Sequence, residues 1–267
     1  MKTAVLRATP HNLRRLARAL RRGEVIGVPT ETVYGLAANA FDEPACRRIF
    51  AVKGRPTSDP LIVHLGSADQ IEQVAKPNAA AIELGRRFWP GPLTIVLPKQ
   101  SCVPDIVTAG LPSVAVRVPS HPVFRQLLRL TSRPLAAPSA NRFGYISPTT
   151  AEHVKTGLDG KIRYVLDGGP AKVGVESTIV DLRDPLAPRV LRPGAISCDA
   201  LSAALGLRVT MALRSATERS SQTRAQVSPG LLKRHYSPHT LVRVHRAIST
   251  RAPARTPQDA WVFLRRP

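Results

Sequence analysis

The residues best suited to chemistry fall into a cationic set and a hydroxyl set. Lys53 and Arg55 precede Pro56, Arg117 ends the run Ser113-Val-Ala-Val-Arg117, and Arg192 sits in Leu191-Arg192-Pro193-Gly194. A single Lys or Arg is ordinarily a solvated surface cation. Several at the ends of apolar runs suggest a built site for phosphate or carboxylate, which a guanidinium grips with paired donors. The hydroxyls lie in Pro29-Thr-Glu-Thr-Val-Tyr-Gly-Leu36, Ala137-Pro-Ser-Ala-Asn141, Ser147-Pro-Thr149 and Glu176-Ser-Thr178. The first follows the apolar run Val25 to Val28, so a strand stops at a proline and opens into polar groups at a sheet edge: a site, not a core. Ser147 and Thr149 precede a helix, where capping explains them equally well. His64, inside an apolar strand, is by default a satisfied core histidine.

Two classes of chemistry lack their motifs. No G-x-S-x-G elbow is present, and no His and Asp are placed to form a triad, which argues against acyl-enzyme catalysis. Neither G-x-x-x-x-G-K-[ST] nor G-x-G-x-x-G occurs, so a bound nucleotide must have its phosphates held by side chains and irregular loops. The three cysteines, Cys46, Cys102 and Cys198, match neither a disulfide framework nor a zinc pattern, and no metal ligand is expected among the side chains. No apolar run approaches the roughly 20 residues of a membrane span. The expectation is a soluble, unexported, cytoplasmic protein.

The net charge is +21. Residues 1–210 hold 28 Lys and Arg against 16 Asp and Glu, and residues 211–267 hold 11 against 2, so the tail is the more basic per residue. Surface arginine and a nucleic-acid footprint explain this excess equally well.

The elements that must position these residues alternate between helix and strand. Thr9 caps a helix that begins at Pro10, carries Leu13, Leu16, Ala17 and Leu20 on one face, and ends at Gly23. Helices are predicted over 43–52, 67–75, 78–89, 122–130 and 149–157, and strands over 61–65, 93–97, 114–118, 135–137 and 162–166. Residues 177–182 and 189–191 flank Asp184-Pro185 as a hairpin, which predicts a mixed sheet. The domain should occupy residues 1–207, followed by a polar flexible linker, 208–239. Residues 240–267 are too few to bury a core of their own.

Taken in order, these motifs resemble the threonylcarbamoyl-AMP synthases, the YrdC-like family. The set is Pro29-Thr-Glu-Thr-Val-Tyr-Gly-Leu, Lys53-x-Arg-Pro, Pro60-Leu-Ile-Val-His64, Trp89-Pro-Gly-Pro-Leu-Thr, Val116-Arg-Val-Pro, Pro138-Ser-Ala-Asn, Glu176-Ser-Thr and Leu191-Arg-Pro-Gly. It covers about residues 5 to 207. Ser228-Pro-Gly-Leu-Leu-Lys-Arg-His-Tyr-Ser-Pro resembles the linker that leads, in the long form, to a Rossmann-like domain, of which 240–267 would be a truncated remnant. The resemblance implies a twisted mixed α/β sheet flanked by helices, with a concave basic site face.

It also implies a nucleotidyltransferase that makes threonylcarbamoyl-AMP and pyrophosphate from L-threonine, bicarbonate and ATP with Mg2+. The product would serve tRNA threonylcarbamoyladenosine formation, with tRNA and a transferase complex as transient partners. On matching positions, Thr32, His64, Arg117, Ala137 and Ser177 would hold threonine. Arg55, Asp59, Ser113, Ser139, Ser147, Arg192 and Tyr236 would hold ATP. Lys53, Arg55 and Arg117 would be catalytic, with Lys53 near the phosphates. Asp59 stands where the family commonly has Asn, and a carboxylate there repels phosphate unless a metal or Lys53 offsets it. A non-catalytic RNA-binding protein of the same fold is the alternative from another class. Carbamoyl transfer of the hydrogenase-maturation kind lacks its acylphosphatase and zinc-finger segments here.

Overall fold

Alternation along each strand decides which side chains meet which helices. Among the described residues eleven strands pair in one sheet: β1 (Ala4–Arg7), β2 (Ile26–Val28), β3 (Gly35–Asn39), β4 (Ile62–His64), β5 (Leu93–Pro98), β6 (Ser113–Arg117), β7 (Leu135–Ala136), β8 (Tyr164–Asp167), β9 (Thr178–Asp181), β10 (Arg189–Arg192) and β11 (Thr210–Met211). Their order is β1-β8-β2-β3-β7-β4-β6-β5-β9-β10-β11. The pairing is mixed: β4 runs parallel to β6 while β5 runs antiparallel to it, and β9 and β10 form the expected antiparallel hairpin. The computed structural model describes residues 2–212 and 226–229, all inside the compact unit Met1–Ser237. Tyr236, the expected remnant 240–267 and most of the expected linker lie outside the described residues.

Among the described residues seven α-helices flank the sheet: α1 (Pro10–Arg21), α2 (Glu43–Lys53), α3 (Ala79–Phe88), α4 (Asp105–Thr108), α5 (Pro122–Thr131), α6 (Ala151–Leu158) and α7 (Cys198–Leu205). On one face, α2, α3, α4, α6 and α7 join Leu36, Ala38, Val63, Ile95, Val116 and Val180 in the main core. On the other, α1 and α5 cover only the β8-β2-β3-β7 side, through Leu13, Leu16, Leu20, Phe124 and Leu127 against Ile26, Val28, Ala37 and Tyr164. The rest of that face carries a small cluster of Ile62, Val96, Ala115 and Ile179, with no helix of the described residues in it. The site forms beside this cluster.

Local chemistry sets the helix ends that matter for the site. Thr9 accepts from the Asn12 amide at the start of α1, and Asp42 accepts from the Ala45 amide at the start of α2. Gly54, with φ 64°, ends α2 in the left-handed conformation and turns the chain between Lys53 and Arg55.

Several expectations need correction. Segment 67–75 holds a 3-10 helix, Ala68–Gln73, rather than an α-helix. Strands β1, β3 and β11 and helices α4 and α7 were not anticipated; four of these five have five residues or fewer and little periodicity to read. Gly35-Leu36, expected in a site loop, begins β3. Residue 207 is not the end of the sheet, because Thr210–Met211 pairs with β10. Within the expected linker, the Gln226 amide donates to the Ser58 carbonyl at 2.9 Å, Val227 packs on the small cluster and Ser228 is buried. No helix among the described residues is long and apolar enough to cross a membrane.

Candidate functional site

The pocket opens on the sheet face that carries the small cluster, at the carboxyl ends of the parallel pair β4 and β6, where ligands settle in open α/β sheets. It is a cleft of about 430 Å³, counted to its open mouth. His64 and Arg117 are opposite each other in the ladder and end their strands. Period-2 alternation puts Ser113, Ala115 and Arg117 on the site face and sends Val114 and Val116 into the main core.

Three arginines are buried here, and each stands beside a carboxylate. Arg117 donates through Nη2 to Glu31 Oε1 at 2.6 Å, through Nη1 to Thr32 Oγ1 at 3.0 Å and through Nε to the Gly91 carbonyl at 3.2 Å. A guanidinium has five N–H donors, so two remain for a ligand. Burial pushes the Glu31 carboxyl up, but the charge and hydrogen bond of Arg117 outweigh it and hold the group below its usual value. Arg192 pairs through Nη1 with Glu176 Oε2, and donates through Nη2 to Ser177 Oγ at 3.0 Å and through Nε to the Ser177 carbonyl at 3.1 Å. Arg55 lies 3.0 Å from Asp59 Oδ2 and donates to the Asp59 and Pro60 carbonyls at 3.1 and 2.7 Å. The expected basic concavity is therefore balanced: each arginine is matched by one acid.

Lys53 turns elsewhere. Its ammonium donates to the Ser139 carbonyl at 2.5 Å and the Asn141 carbonyl at 2.6 Å, stapling the Pro138-Ser-Ala-Asn loop, and it is absent from the pocket lining. Burial, reinforced by the charge of Arg55, lowers its pKa to about 7. The offset that Asp59 needs comes mainly from Arg55, with Lys53 adding to it. Burial raises the Asp59 carboxyl, opposed by Arg55.

A buried unsatisfied atom marks where a ligand fits: His64 Nδ1, at the pocket, has no hydrogen-bond partner among the described residues. Ser113 Oγ and Asp59 Oδ1 are unpaired too but lie outside the lining, and Asp59 Oδ2 faces Arg55 at 3.0 Å. Buried polar atoms are normally paired, so an unpaired group at a pocket points to a missing partner. His64 thus departs from the core role expected by default: it lines the pocket, and its ring tilts against Phe124 at 5.5 Å. Burial, followed by the nearby charge of Arg117, lowers its pKa to about 3 and keeps the imidazole neutral.

The structure brings Thr32, Arg55, His64, Arg117, Ala137, Ser139, Ser177 and Arg192 to one pocket wall or another. Ser147 stands one bond behind, donating to Glu176 Oε1 at 2.8 Å, while the α6 cap is Thr150. Asp59, Ser113 and Lys53 are buried outside the lining. Two glycines explain their motifs. A Cβ on Gly91 would stand 2.3 Å from the Phe88 carbonyl oxygen, and one on Gly194 would stand 2.4 Å from the Thr178 amide nitrogen. Gly194 thus lets the Arg192 loop lie directly on Glu176-Ser177.

The Sua5_yciO_yrdC family model, described as "Telomere recombination", matches residues 18–194. The chain belongs to the Sua5/YciO/YrdC family. It is 46% identical over 228 residues to a Pyrococcus abyssi protein named threonylcarbamoyl-AMP synthase, with 84% of this chain and 65% of that protein covered. A Bacillus subtilis protein of the same name is 46% identical over 228 residues, covering 83% and 63%. The chain thus spans less than two thirds of these relatives' length. The crystal structure of P. abyssi Sua5 complexed with L-threonine superposes with a TM-score of 0.81 at 43% identity, covering 88% of this chain and 69% of that one.

Three contributors to this Sua5/YciO/YrdC site were quoted in motifs without a role. Glu31 and Glu176 brace Arg117 and Arg192. Pro229 lines the pocket from beyond the sheet. An acid inside an otherwise hydroxyl-rich motif was the available signal for the first two.

Proposed function

We propose that this chain is an L-threonylcarbamoyladenylate synthase: it joins L-threonine, bicarbonate and ATP into threonylcarbamoyl-AMP and releases pyrophosphate. The observation that carries the reading is Arg117, fixed on three sides with two N–H donors left, beside a neutral His64 with an unpartnered nitrogen. That is a receptor for a small carboxylate bearing a hydrogen-bonding substituent. The threonine complex of a 43% identical relative supports the choice of amino acid.

In this reading Arg117 takes the threonine carboxylate, and Thr32, His64, Ala137 and Ser177 surround the rest of the molecule. Arg55, Ser139, Ser147 and Arg192 face ATP, with Tyr236 contributing from outside the described residues. Ser113 and Asp59 supply buried polar atoms at the nucleotide end, and the raised Asp59 carboxyl brings this position closer to the neutral asparagine common in the family. Lys53 acts as a positioning residue for the Ser139 loop.

The threonine nitrogen bonds to the bicarbonate carbon with loss of water, giving N-carboxythreonine; its carbamate oxygen then attacks the α-phosphorus as the bond from that phosphorus to the bridging oxygen breaks and pyrophosphate leaves. No side chain need form a covalent intermediate, so catalysis is positioning and charge stabilisation. Among the described residues no three His, Cys, Asp or Glu gather to hold a metal, so Mg2+ is taken to arrive on the ATP phosphates. Transfer of the threonylcarbamoyl group to tRNA by a partner complex, in the cytoplasm, completes the reading. Three cysteines, all free, support a reducing compartment.

The test is pyrophosphate release from ATP. It should require both L-threonine and bicarbonate, and equal release without threonine would reject the reading.

A further inference from the structure

The motif Trp89-Pro-Gly-Pro-Leu-Thr94 runs into β5, and its last residue is a buried hydroxyl, 0% exposed. Leu93, Ile95 and Leu97 of that strand point into the main core, so alternation puts Thr94 with Val96 on the site face. A valine would fill the same space in a buried strand with no polar group to satisfy, and a buried hydroxyl costs stability unless it is hydrogen-bonded. The bond that Thr94 makes is to Ser177, with the two oxygens 2.8 Å apart. Ser177 lines the pocket and Thr94 does not. An effect of the Thr94 hydroxyl on a ligand therefore passes through Ser177.

Counting hydrogens fixes the direction of this bond. A hydroxyl has one hydrogen and two acceptor lone pairs, and a guanidinium only donates. Ser177 Oγ already accepts from Arg192 Nη2 at 3.0 Å. If Ser177 donated to Thr94, its one hydrogen would be spent inside the protein. If Thr94 donates to Ser177, both Ser177 lone pairs are filled and its hydrogen turns into the pocket. A carboxylate oxygen can only accept, so it selects the second arrangement. Two donations into one hydroxyl also polarise it and strengthen the bond that it gives in turn.

The same segment holds the other residue assigned to an anionic group. The Gly91 carbonyl accepts from Arg117 Nε at 3.2 Å, and the Pro92 carbonyl accepts from the Thr178 amide at 3.1 Å. Arg117 and the start of β9 are thus fixed to one short piece of chain.

We propose that Thr94 is a positioning residue: it donates to Ser177 and so directs the Ser177 hydroxyl hydrogen onto the carboxylate of bound L-threonine, the ligand being the one that the proposed function assigns.

The experiment is a double-mutant cycle on the full chain, read as equilibrium affinity for L-threonine and as threonine-dependent pyrophosphate release. Thr94→Val keeps the shape and removes the hydroxyl, Thr94→Ser keeps the hydroxyl, and Ser177→Ala removes the group through which Thr94 acts. Thr94→Val should weaken threonine binding about tenfold, as a misdirected hydrogen bond to a charged group would. Thr94→Ser should stay within about threefold of the parent. Added to Ser177→Ala, Thr94→Val should cost nothing further, since the pair acts as one unit. Losses that multiply across the cycle would mean that Thr94 acts through the packing of β5, and would overturn the proposal. So would a Thr94→Ser variant as impaired as Thr94→Val, or a Thr94→Val variant that binds threonine like the parent. If Thr94→Val does not fold, Thr94→Ala carries the same cycle. A parent that binds threonine but releases no pyrophosphate would refute the proposed activity, and the cycle in threonine affinity would still decide the role of Thr94.

Discussion

Arg117 at the pocket floor and Arg14 on the outside of α1 carry the same charge under opposite conditions. Arg117 is 3% exposed, with three of its N–H groups committed and a carboxylate at 2.6 Å. Arg14 is exposed and has no ion pair among the described residues. A buried cation forfeits solvation worth several kcal/mol, so it persists only where an anion and oriented oxygens replace the water, and its position is then fixed before any ligand arrives. An exposed cation keeps its water and its rotamer freedom. The pocket thus has geometry with little net charge, and the helix face has net charge with little geometry. The first suits recognition of one small molecule, whose charged groups meet donors already in place.

The largest effect should come from breaking a buried pair. Arg117→Met leaves Glu31 charged and unpartnered, and its Oε2 already lacks a donor, so unfolding free energy should fall by about 3 to 5 kcal/mol. Adding Glu31→Leu removes the stranded charge and should restore at least half of that in urea unfolding, while threonine-dependent pyrophosphate release stays lost in both. A single variant as stable as the parent would show that the pocket arginines are no more constrained than those on α1, and the contrast would fail.

The same contrast explains what could be read from the sequence. Arg55, Arg117 and Arg192 were legible as site cations because each ends an apolar run near a proline, and all three line the pocket. The pairing of Arg117 was not, since Arg117 and Glu31 are 86 residues apart in the chain and only the fold makes them neighbours. Tyr34 was expected to present its phenol at a site. It is fully buried instead, donating to the Gly169 carbonyl at 2.7 Å, and burial pushes its pKa up to about 12. Strong periodicity made α1 and α5 readable to within a residue or two, whereas β1 and β11 are short edge strands held by partners far along the chain.

Lys53 sharpens the comparison, because it is a buried cation whose two carbonyl partners can be served equally by a neutral amine. Its pKa falls from 10.5 to about 7 on folding. Between these values the unfolded chain holds the proton and the folded chain does not, so this group's contribution to stability is lowest below pH 7 and rises with pH through the window. Compared with Lys53→Met, the parent should gain about 2 kcal/mol of relative stability between pH 7 and pH 9. A stability difference that stays flat over that range would mean Lys53 remains charged when buried, held by its carbonyl contacts and the charges of Glu176 and Asp59.

The smallest effects belong to the outer face, where their sign is the informative part. Arg14 and Arg18 are four residues apart on α1, and a like-charge pair at that spacing is destabilising by a few tenths of a kcal/mol. Arg14→Gln should therefore stabilise the protein by about 0.2 to 0.5 kcal/mol at low salt. Arg22 sits at the carboxyl end of α1 beside Glu24, where a cation is favoured by the helix dipole and by its neighbour, so Arg22→Gln should destabilise by a similar amount. Both effects should fade near 1 M salt, where the screening length is about 3 Å. Thermal unfolding of the two variants at low and high salt checks this: opposite signs that converge on the parent are expected of solvated charges. Shifts of equal sign, or shifts that survive high salt, would show that these arginines are held by packing, and the outer face would then resemble the pocket more than its exposure implies.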